Sequence, residues 1–408
     1  MVVADGRMSK RQSSYWITQE PRVPRLYGLP KHHKDGVPLR PIVDAIDSVT
    51  YKLGKQINHI LKPIVDNKPH VLKNSKQFCA AIDNIQLEND ELLVSFDVVQ
   101  LFPSISISAA LDALERLLHS NDEWQQRTLL TAREVLILCG MCLNTQEFTY
   151  GNQTYIQTEG LPMGGPLSPL VAECVMQDLE GQLFKEFELL EIKPRIWLRM
   201  VDDVFSIVKK NEVDNILAVC NSMQPGIKFT VEKEKNGVLP FLDVLVQVTR
   251  GGELKKSVYR KPMAALRLLP YSSNHSTSVK VGIVKNLVNR AVNVCSDNSL
   301  LNNELNVIST MCEEGGYPPH VFDKAVKQRV GKKSVNQTER LCSGEGKNSQ
   351  DLPRWGITYH PVLFEIFQRK FRLWGVELVP SNYKTVKKML PGVKDRTNAQ
   401  EKKGLFTN

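Results

Sequence analysis

Trp197-Leu198-Arg199-Met200-Val201-Asp202-Asp203-Val204-Phe205-Ser206-Ile207 sets an adjacent pair of aspartates between two apolar runs. Val204, Phe205, Ile207 and Val208 are strand formers. The pattern predicts two short strands with Asp202 and Asp203 at the turn between them. Such a turn holds two carboxylates clear of the apolar layer, where they can meet a divalent metal. A hairpin that uses Asp only for its turn chemistry would read the same way locally, so the neighbouring stretches have to decide.

Upstream, Leu92-Leu93-Val94-Ser95-Phe96-Asp97 reads as a buried strand with Asp97 at its end. Asp97 and Asp202 lie 105 positions apart. Carboxylates from two adjacent strand ends can chelate two Mg²⁺ ions. One ion lowers the pKa of an attacking hydroxyl and the other steadies the leaving oxygen. That is the apparatus of phosphoryl or nucleotidyl transfer, which is mainly positioning and electrostatics. Between the two carboxylate sites runs Glu159-Gly160-Leu161-Pro162-Met163-Gly164-Gly165-Pro166-Leu167-Ser168-Pro169-Leu170, a loop that feeds a long helix to about Glu186. Its small residues allow close approach of a flat ligand such as a base pair. No Gly-Lys-Ser/Thr follows, so it is not a Walker-type phosphate loop.

Further upstream, Leu26 to Val43 reads as two extended pieces joined by a tight turn at Asp35-Gly36. Its prolines restrict it to extended or edge geometry. Lys31, Lys34 and Arg40 sit on the arms. A basic hairpin can clamp a triphosphate, because Arg offers a forked donor and Lys a point charge. The alternative is an exposed loop whose charges only keep it soluble.

With 408 residues the chain can bury a large core in two or three domains. A hydrophobic fraction of 42% and a charged fraction of 24% are those of an ordinary soluble protein. No apolar run is long enough to span a bilayer, and Met1-Val2-Val3-Ala4-Asp5 has no signal-peptide character. The expectation is an intracellular protein with no membrane partner. Of the 8 cysteines only Cys139 and Cys142 are close, and without a second pair they read as buried thiols on a helix, not as a zinc site. The net charge of +9 is uneven: from Lys324 onward 18 Lys or Arg face 7 Asp or Glu, a surplus of 11 that leaves the preceding part near −2. A basic C-terminal region points to a polyanion, most simply nucleic acid. A merely solvated basic surface has the same composition.

Helical spacing marks Tyr51 to Val65, a short stretch from Ser75 to Ile82, a helix capped by Ser106 through Leu118, Thr131 to Leu143, and Val213 to Met223. Phe148 to Ile156 reads as a hairpin turning at Gly151-Asn152. Ile227 to Gly237 reads as a strand and turn, Leu239 to Val248 as a second strand, and Ser257 to Tyr259 as a third that ends in Arg260 and Lys261. From Ser276 to about Val330 the pattern is helical, followed by a polar linker from Lys332 to Asp351. A helix near Leu363 to Trp374, a strand at Val376 to Val379, a short helix near Tyr383 to Met389 and a basic tail complete the chain.

In this order the motifs resemble those of reverse transcriptases, most closely the enzymes of Penelope-like retroelements. The resemblance rests on Tyr27-Gly28-Leu29-Pro30-Lys31 with Leu39-Arg40-Pro41-Ile42-Val43, Ser95-Phe96-Asp97, the loop from Gly160 to Pro169, and Val201-Asp202-Asp203. Leu239-Pro240-Phe241-Leu242-Asp243, Tyr259-Arg260-Lys261-Pro262 and Tyr271-Ser272-Ser273-Asn274-His275 follow. Together they span roughly Tyr27 to Arg290.

The resemblance implies an α+β right-hand polymerase of fingers, palm and thumb, with an antiparallel palm sheet packed on helices. It divides the chain into an N-terminal segment and fingers (1–90), a palm with interleaved finger elements (91–250), a helical thumb (251–331), and a basic linker and C-terminal extension (332–408). The reverse transcriptase domain as a whole covers about 24–250. Asp97, Asp202 and Asp203 match the catalytic carboxylates that bind two Mg²⁺ ions, with Mn²⁺ as a substitute. Arg40 and Lys31 match finger residues on the incoming triphosphate. Phe102 matches the bulky gate that excludes a ribose 2′-hydroxyl, although a core Phe beside Pro103 reads equally well. Met163 and Gly164 match the loop against the nascent base pair. Lys233 or Lys235 falls where the family can place a proton donor for pyrophosphate. Met200, Leu239, Phe241, Arg260 and Lys261 fall on the primer and template side. The implied partners are an RNA template, a DNA primer and dNTPs.

The chain departs from the family pattern at Met163, where Gln is common, at Gly165, where Ser is common, and at Met200, where an aromatic usually seats the primer end. The fingers hairpin begins about two dozen residues from Met1, so upstream finger elements are expected to be missing. Val393 to Gly404 resembles the linker that precedes a GIY-YIG endonuclease in many relatives, and neither endonuclease nor ribonuclease H activity is expected. The alternative is a catalytically impaired nucleic-acid-binding relic. An RNA-dependent RNA polymerase is a third reading, disfavoured if Phe102 is the gate. Chromosomal targets imply nuclear residence.

Overall fold

The structure is a computed structural model that describes residues 5, 7, 9–31, 36–65, 68–151, 153–262, 264–333, 352–360 and 363–381. Contacts divide the chain into two units, Met1–Ala264 and Ala265–Asn408.

The first unit opens with α1 (Lys10–Ser14) and a hairpin of β1 (Arg25–Pro30) and β2 (Leu39–Asp44). Pro30 pairs with Leu39, and Lys31 N donates to Pro38 O at 2.9 Å. Gly36 has a φ of 72°, as a tight turn needs; Lys34 and Asp35 lie outside the described residues. In α2 (Tyr51–Val65) Ile57, Ile60, Leu61 and Ile64 are buried at helical spacing. Asn74 caps α3 (Ser75–Ala81), accepting from Gln77 N at 3.0 Å. Next, β3 (Glu91–Val98) crosses the core with Leu93, Val94, Phe96 and Val98 buried. A left-handed Gln100 (φ 51°) turns the chain into a one-turn helix, α4 (Leu101–Ser104), too short to show a periodicity.

Ser106 caps α5 (Ile107–Ser120) as expected, accepting from Ala109 N. A 3₁₀ turn at Glu123–Arg127 buries Trp124. Thr131 and Glu134 close a capping box on α6 (Ala132–Asn144). The hairpin of β4 (Glu147–Tyr150) and β5 (Gln153–Ile156) follows; Asn152 of its expected turn lies outside the described residues. Then come α7 (Ser168–Leu189), β6 (Ile196–Met200), β7 (Asp203–Lys209), α8 (Val213–Ser222) and β8 (Phe229–Lys233). The unit ends with β9 (Val238–Phe241), β10 (Val244–Val248) and β11 (Leu254–Val258).

The central sheet has the order β6-β7-β3-β8, and every pairing in it is antiparallel. One continuous core joins it to the buried sides of α2, α5, α6, α7 and α8. A second sheet, β2-β1-β4-β5, carries the basic hairpin, and β11-β10-β9 form a third. The stretch Leu239 to Val248, expected as one strand, is two: Phe241 pairs with Val244 across a turn in which Leu242 has a φ of 56°. The reversal is hidden because Leu242-Asp243 contains no Gly and interrupts the apolar run at one residue only. Phe78, Phe205 and Phe241 meet beneath these sheets with ring centroids 4.8 to 5.6 Å apart. Burying each such side chain contributes about 1.5–3 kcal/mol.

In the second unit α9 (Thr277–Val294), α10 (Asn298–Glu314) and α11 (Pro319–Lys333) pack on one another through Val284, Val288, Ala291, Ile308, Cys312 and Val321. Lys280 Nζ is buried against the Tyr271 carbonyl at 2.7 Å. Beyond them β12 (Arg354–Thr358), α12 (Leu363–Leu373) and β13 (Glu377–Ser381) form a parallel β-α-β piece. Arg354–Thr358 is a strand where none was expected: Trp355, Ile357 and Thr358 are strand formers, but the run is short and interrupted by Gly356. The linker after Lys333, Cys342, the helix expected near Tyr383 to Met389 and the basic tail lie outside the described residues.

The described cysteines are buried thiols. Burial pushes Cys142 up to about 12 and Cys139 well above its ordinary value. Thiols held neutral this way are poor metal ligands and poor nucleophiles. Among the described residues no helix is long and apolar enough to cross a membrane.

Candidate active site

Antiparallel register sets Asp97 of β3 directly across from Asp203 of β7. Val98 N donates to Asp202 O at 3.3 Å, which ties the turn to the same strand end. Three carboxylates thus stand together where the two central strands leave the core. Asp97 is exposed, and Asp202 and Asp203 are half-buried. Burial, then the Asp202 and Asp97 charges, push the Asp203 carboxyl up to about 6 against the opposing pull of Lys261. Among the described residues no three His, Cys, Asp or Glu side chains are placed so that together they could hold a metal ion. The donors are nevertheless of the hard-oxygen type that Mg²⁺ selects, and the repulsion that raises Asp203 is what a dication would relieve. In donor type the three residues suit the metal that the sequence implies.

The β6–β7 hairpin closes in two residues, Val201 and Asp202, because Met200 pairs with Asp203. Val201 has a φ of 62°. That is the sign a type II′ turn needs at its first central position, where Gly is usual. A β-branched residue held there stores on the order of 1–3 kcal/mol of strain, a recurring feature of functional sites.

Underneath the turn lies a group of residues that the sequence reading did not single out. Arg199 is 0% exposed. Its Nε donates to Glu180 Oε1 at 2.8 Å, and its two Nη atoms grip Glu173 at 2.8 and 2.7 Å. Nη1 also donates to the Val201 carbonyl at 3.1 Å. Glu180 further accepts from Trp197 Nε1 at 2.9 Å and lies 3.0 Å from His70 Nε2. Burial pushes Glu180 up, but the His70 hydrogen bond and the Arg199 charge outweigh it and hold the carboxyl below its ordinary value. Burial likewise pulls Arg199 down, and its bonds to Glu173 and the Glu180 charge leave it above its ordinary value. The signal was present in the sequence: a lone Arg inside an apolar strand, and two Glu seven apart on a long apolar helix. Buried charges are almost always paired.

The glycine-rich loop joins the site to the basic hairpin. Val43 N donates to Met163 O at 2.7 Å. Gly164 has a φ of 127°, and a Cβ there would lie 2.1 Å from Val43 O, so only Gly fits. At the other end of the loop Leu161 N donates to Phe102 O at 2.8 Å. Met163 and Phe102 are half-buried. Lys31 follows β1, half-buried, and Arg40 lies exposed on β2 opposite Leu29.

Two of the expected roles are corrected by placement. Lys233 is level with Val94, three residues up β8 from Thr230 beside Asp97, and it pairs with Asp214 at 3.1 Å. At about 3.3 Å per residue that puts its backbone some 10 Å from the carboxylate end. Lys235 lies beyond Lys233 in the turn to β9, where it bridges to Val238. Leu239 and Phe241 have buried side chains, 0% and 3% exposed, so they belong to the core and not to a primer surface. The spacing was right, but alternation along β9 turns these two inward. Lys261, expected on the primer and template side, also places its charge near enough to Asp203 to pull on that carboxyl. Arg260 and Met200 are half-buried, Met200 at the end of β6.

An antiparallel sheet backed by helices, with carboxylates at the exit of its central strands, defines a palm-type polynucleotide polymerase fold. Residues 33–241, more than half of the chain, match the family of reverse transcriptases (RNA-dependent DNA polymerases), and the chain belongs to that family. Residues 267–327 match the animal helix-turn-helix domain. No curated protein sequence matches the chain. Among solved structures it is similar in fold to telomerase from Candida albicans in complex with a fragment of telomeric RNA. Identity is 12%, the TM-score is 0.53, and the match covers 79% of this chain and 58% of that one. The chain thus spans less than two thirds of that telomerase. Apo telomerase from Candida tropicalis also matches, at 12% identity over 80% of this chain and 61% of that one, with a TM-score of 0.48. A Sicinivirus RNA-dependent RNA polymerase matches at 12% identity over 72% and 64%, with a TM-score of 0.43.

Proposed function

We propose that the chain is the RNA-directed DNA polymerase of a Penelope-like retroelement, extending a DNA 3′-hydroxyl along an RNA template and releasing pyrophosphate. The observation that carries this reading is the pairing of Asp97 with Asp203 beside Asp202, in a member of the reverse transcriptase family. Asp97, Asp202 and Asp203 would hold two Mg²⁺ ions, or Mn²⁺ in their place. Two such ions supply activation of the primer hydroxyl and stabilisation of the leaving oxygen. The task of the carboxylates is to stay ionised and fixed, and the sheet register serves the second need. Arg40 and Lys31 would bind the triphosphate, the first as a fork and the second as a point charge. The Phe102 ring would fill the space a 2′-hydroxyl needs. The Met163-Gly164 backbone, tied to β2, would lie against the new base pair. Lys261, Arg260 and Met200 would line the primer side. Helices α9, α10 and α11 would serve as the thumb, and chromosomal targets would place the protein in the nucleus.

The test is primer extension on poly(rA) with an oligo(dT) primer, dTTP and Mg²⁺, comparing the parent with Asp202→Asn/Asp203→Asn. Extension by the parent alone is the expected outcome. Failure of both, with template and primer still bound, would instead support an impaired nucleic-acid-binding relic, a reading that Met200 favours by standing where an aromatic usually seats the primer. Ribonucleotide use by Phe102→Ala but not by the parent would establish the gate. Equal use by the parent would remove it and favour an RNA polymerase.

A further inference from the structure

Two facts about the carboxylate turn stand apart from the chemistry proposed for it. The residue before Asp202 has a backbone conformation that its β-branched side chain disfavours. The carbonyl of that same residue is held by a guanidinium with no solvent exposure. The rest of that guanidinium is anchored to α7. Glu173 takes both Nη atoms and Glu180 takes Nε. Gln177, between them on the same helix, donates to Glu173 Oε1 at 2.9 Å. The Arg199 backbone is fixed as well: its N donates to His70 O at 2.8 Å and its O accepts from Leu72 N at 2.7 Å. A planar cation with five donors in a fixed fork can serve two carboxylates and a carbonyl at once; an ammonium cannot reproduce that geometry.

We propose that Arg199 is a positioning residue for the dication site. Its Nη1 holds the Val201 peptide in the left-handed conformation, and so sets where Asp202 and Asp203 project. Glu173 and Glu180 act through it, as the rigid mount on α7. The Met200–Asp203 pairing and the Val98 N–Asp202 O bond close the turn, and the Arg199 bond to the Val201 carbonyl fixes the strained peptide within it; loss of that bond lets the peptide relax and the two carboxylates drift apart. This inference rests on the reading of Asp97, Asp202 and Asp203 as dication ligands.

The experiment measures Mn²⁺ binding to the full chain by calorimetry, alongside the melting temperature and Mg²⁺-dependent primer extension. The parent is compared with Asp202→Asn/Asp203→Asn, Arg199→Lys, Val201→Gly, Arg199→Lys/Val201→Gly and Glu173→Gln. Arg199→Lys is expected to weaken Mn²⁺ binding about tenfold, as loss of a group that orients metal ligands commonly does. Val201→Gly adopts the positive φ without help, so it should keep the parent's affinity. In that background Arg199→Lys should cost no more than about twofold, a non-additivity that a general loss of core stability would not produce. Glu173→Gln, partly exposed and less critical to folding, should weaken binding about threefold by loosening the mount, and it carries the test if Arg199→Lys does not fold. Unchanged Mn²⁺ affinity in Arg199→Lys, or in Glu173→Gln should the first not fold, overturns the proposal. So do equal losses with and without Val201→Gly. If the parent binds Mn²⁺ no better than Asp202→Asn/Asp203→Asn, the ligand reading itself has failed.

Discussion

Two hairpins in the first unit are built alike and set their aspartates in different surroundings. The β6–β7 turn is Val201-Asp202, and the β9–β10 turn is Leu242-Asp243. Each joins its strands in two residues, each has an apolar residue at positive φ (62° and 56°), and each follows it with Asp. At the second turn the aspartate is absorbed by structure: the Ser75 hydroxyl donates to the Asp243 carboxylate, and Tyr259 N donates to Asp243 O at 2.8 Å. At the first turn the aspartates face other aspartates. Asp203 is raised to about 6 by burial and by Asp202 and Asp97. Local turn chemistry is thus the same in both hairpins, and what differs is what each Asp faces. A satisfied carboxylate stabilises a hairpin; a crowded one is poised for a cation.

The sharpest way to break this comparison is to neutralise each turn in turn. Asp202→Asn should abolish primer extension, by a factor of about 10³ or more, with little change in melting temperature. Asp243→Asn should leave the rate per folded molecule within about twofold and cost about 1 kcal/mol of stability, the usual value of one hydrogen bond. Comparable rate losses in the two variants would erase the distinction. The apolar side of the second hairpin gives the next largest effect. Phe241→Ala opens the Phe78–Phe205–Phe241 cluster and should cost about 3–5 kcal/mol in denaturant unfolding. A lost rate with unchanged stability would return Phe241 to the primer surface.

A smaller effect separates the two strained residues. Val201 is 49% exposed, so Val201→Gly loses little burial and should gain roughly 1 kcal/mol from relieved strain. Leu242 is half-buried, and Leu242→Gly should gain less or lose stability. The smallest effect concerns pH. The Asp203 carboxyl ionises near its ordinary 3.8 in the unfolded chain and near 6 in the folded one. Between those values the folded state holds the extra proton, so this group's contribution to stability falls as pH rises through the window and stays low above it. Without dication, Asp203→Asn should therefore raise the melting temperature at about pH 7.5 more than at about pH 4. An equal gain at both values would mean that Asp203 is not crowded. For the parent, the Mg²⁺ concentration needed for half-maximal extension should climb as pH drops below about 6, because protons then compete for the site.

Much of this was readable before any coordinates. The glycine-rich stretch before α7 reads as room for a flat ligand, and at Gly164 the close neighbour in the structure is the Val43 carbonyl. The apolar runs around Asp97 and around Asp202-Asp203 specified strands that end in carboxylates, because burial and strand periodicity are local demands that a residue must answer where it stands. The failures share a cause. Lys233 and Lys235 sat at a plausible distance along the chain, but only strand register decides whether a residue lies level with Asp97 or three steps away. Leu239 and Phe241 were assigned to a surface because a motif, not a face, was being read.

The chain order of the motifs thus determined the α+β polymerase class, the carboxylates and the loops that surround them. Tertiary structure alone decided which lysine acts on Asp203, which aromatic rings are core, and that Arg199 reaches from β6 to Glu173 and Glu180 on α7 while holding the Val201 carbonyl. The physical reason is that a buried charge selects its partners by where the folded chain delivers them. The residues that meet there lie in separate stretches of sequence and are joined only by the packing of a helix on a sheet.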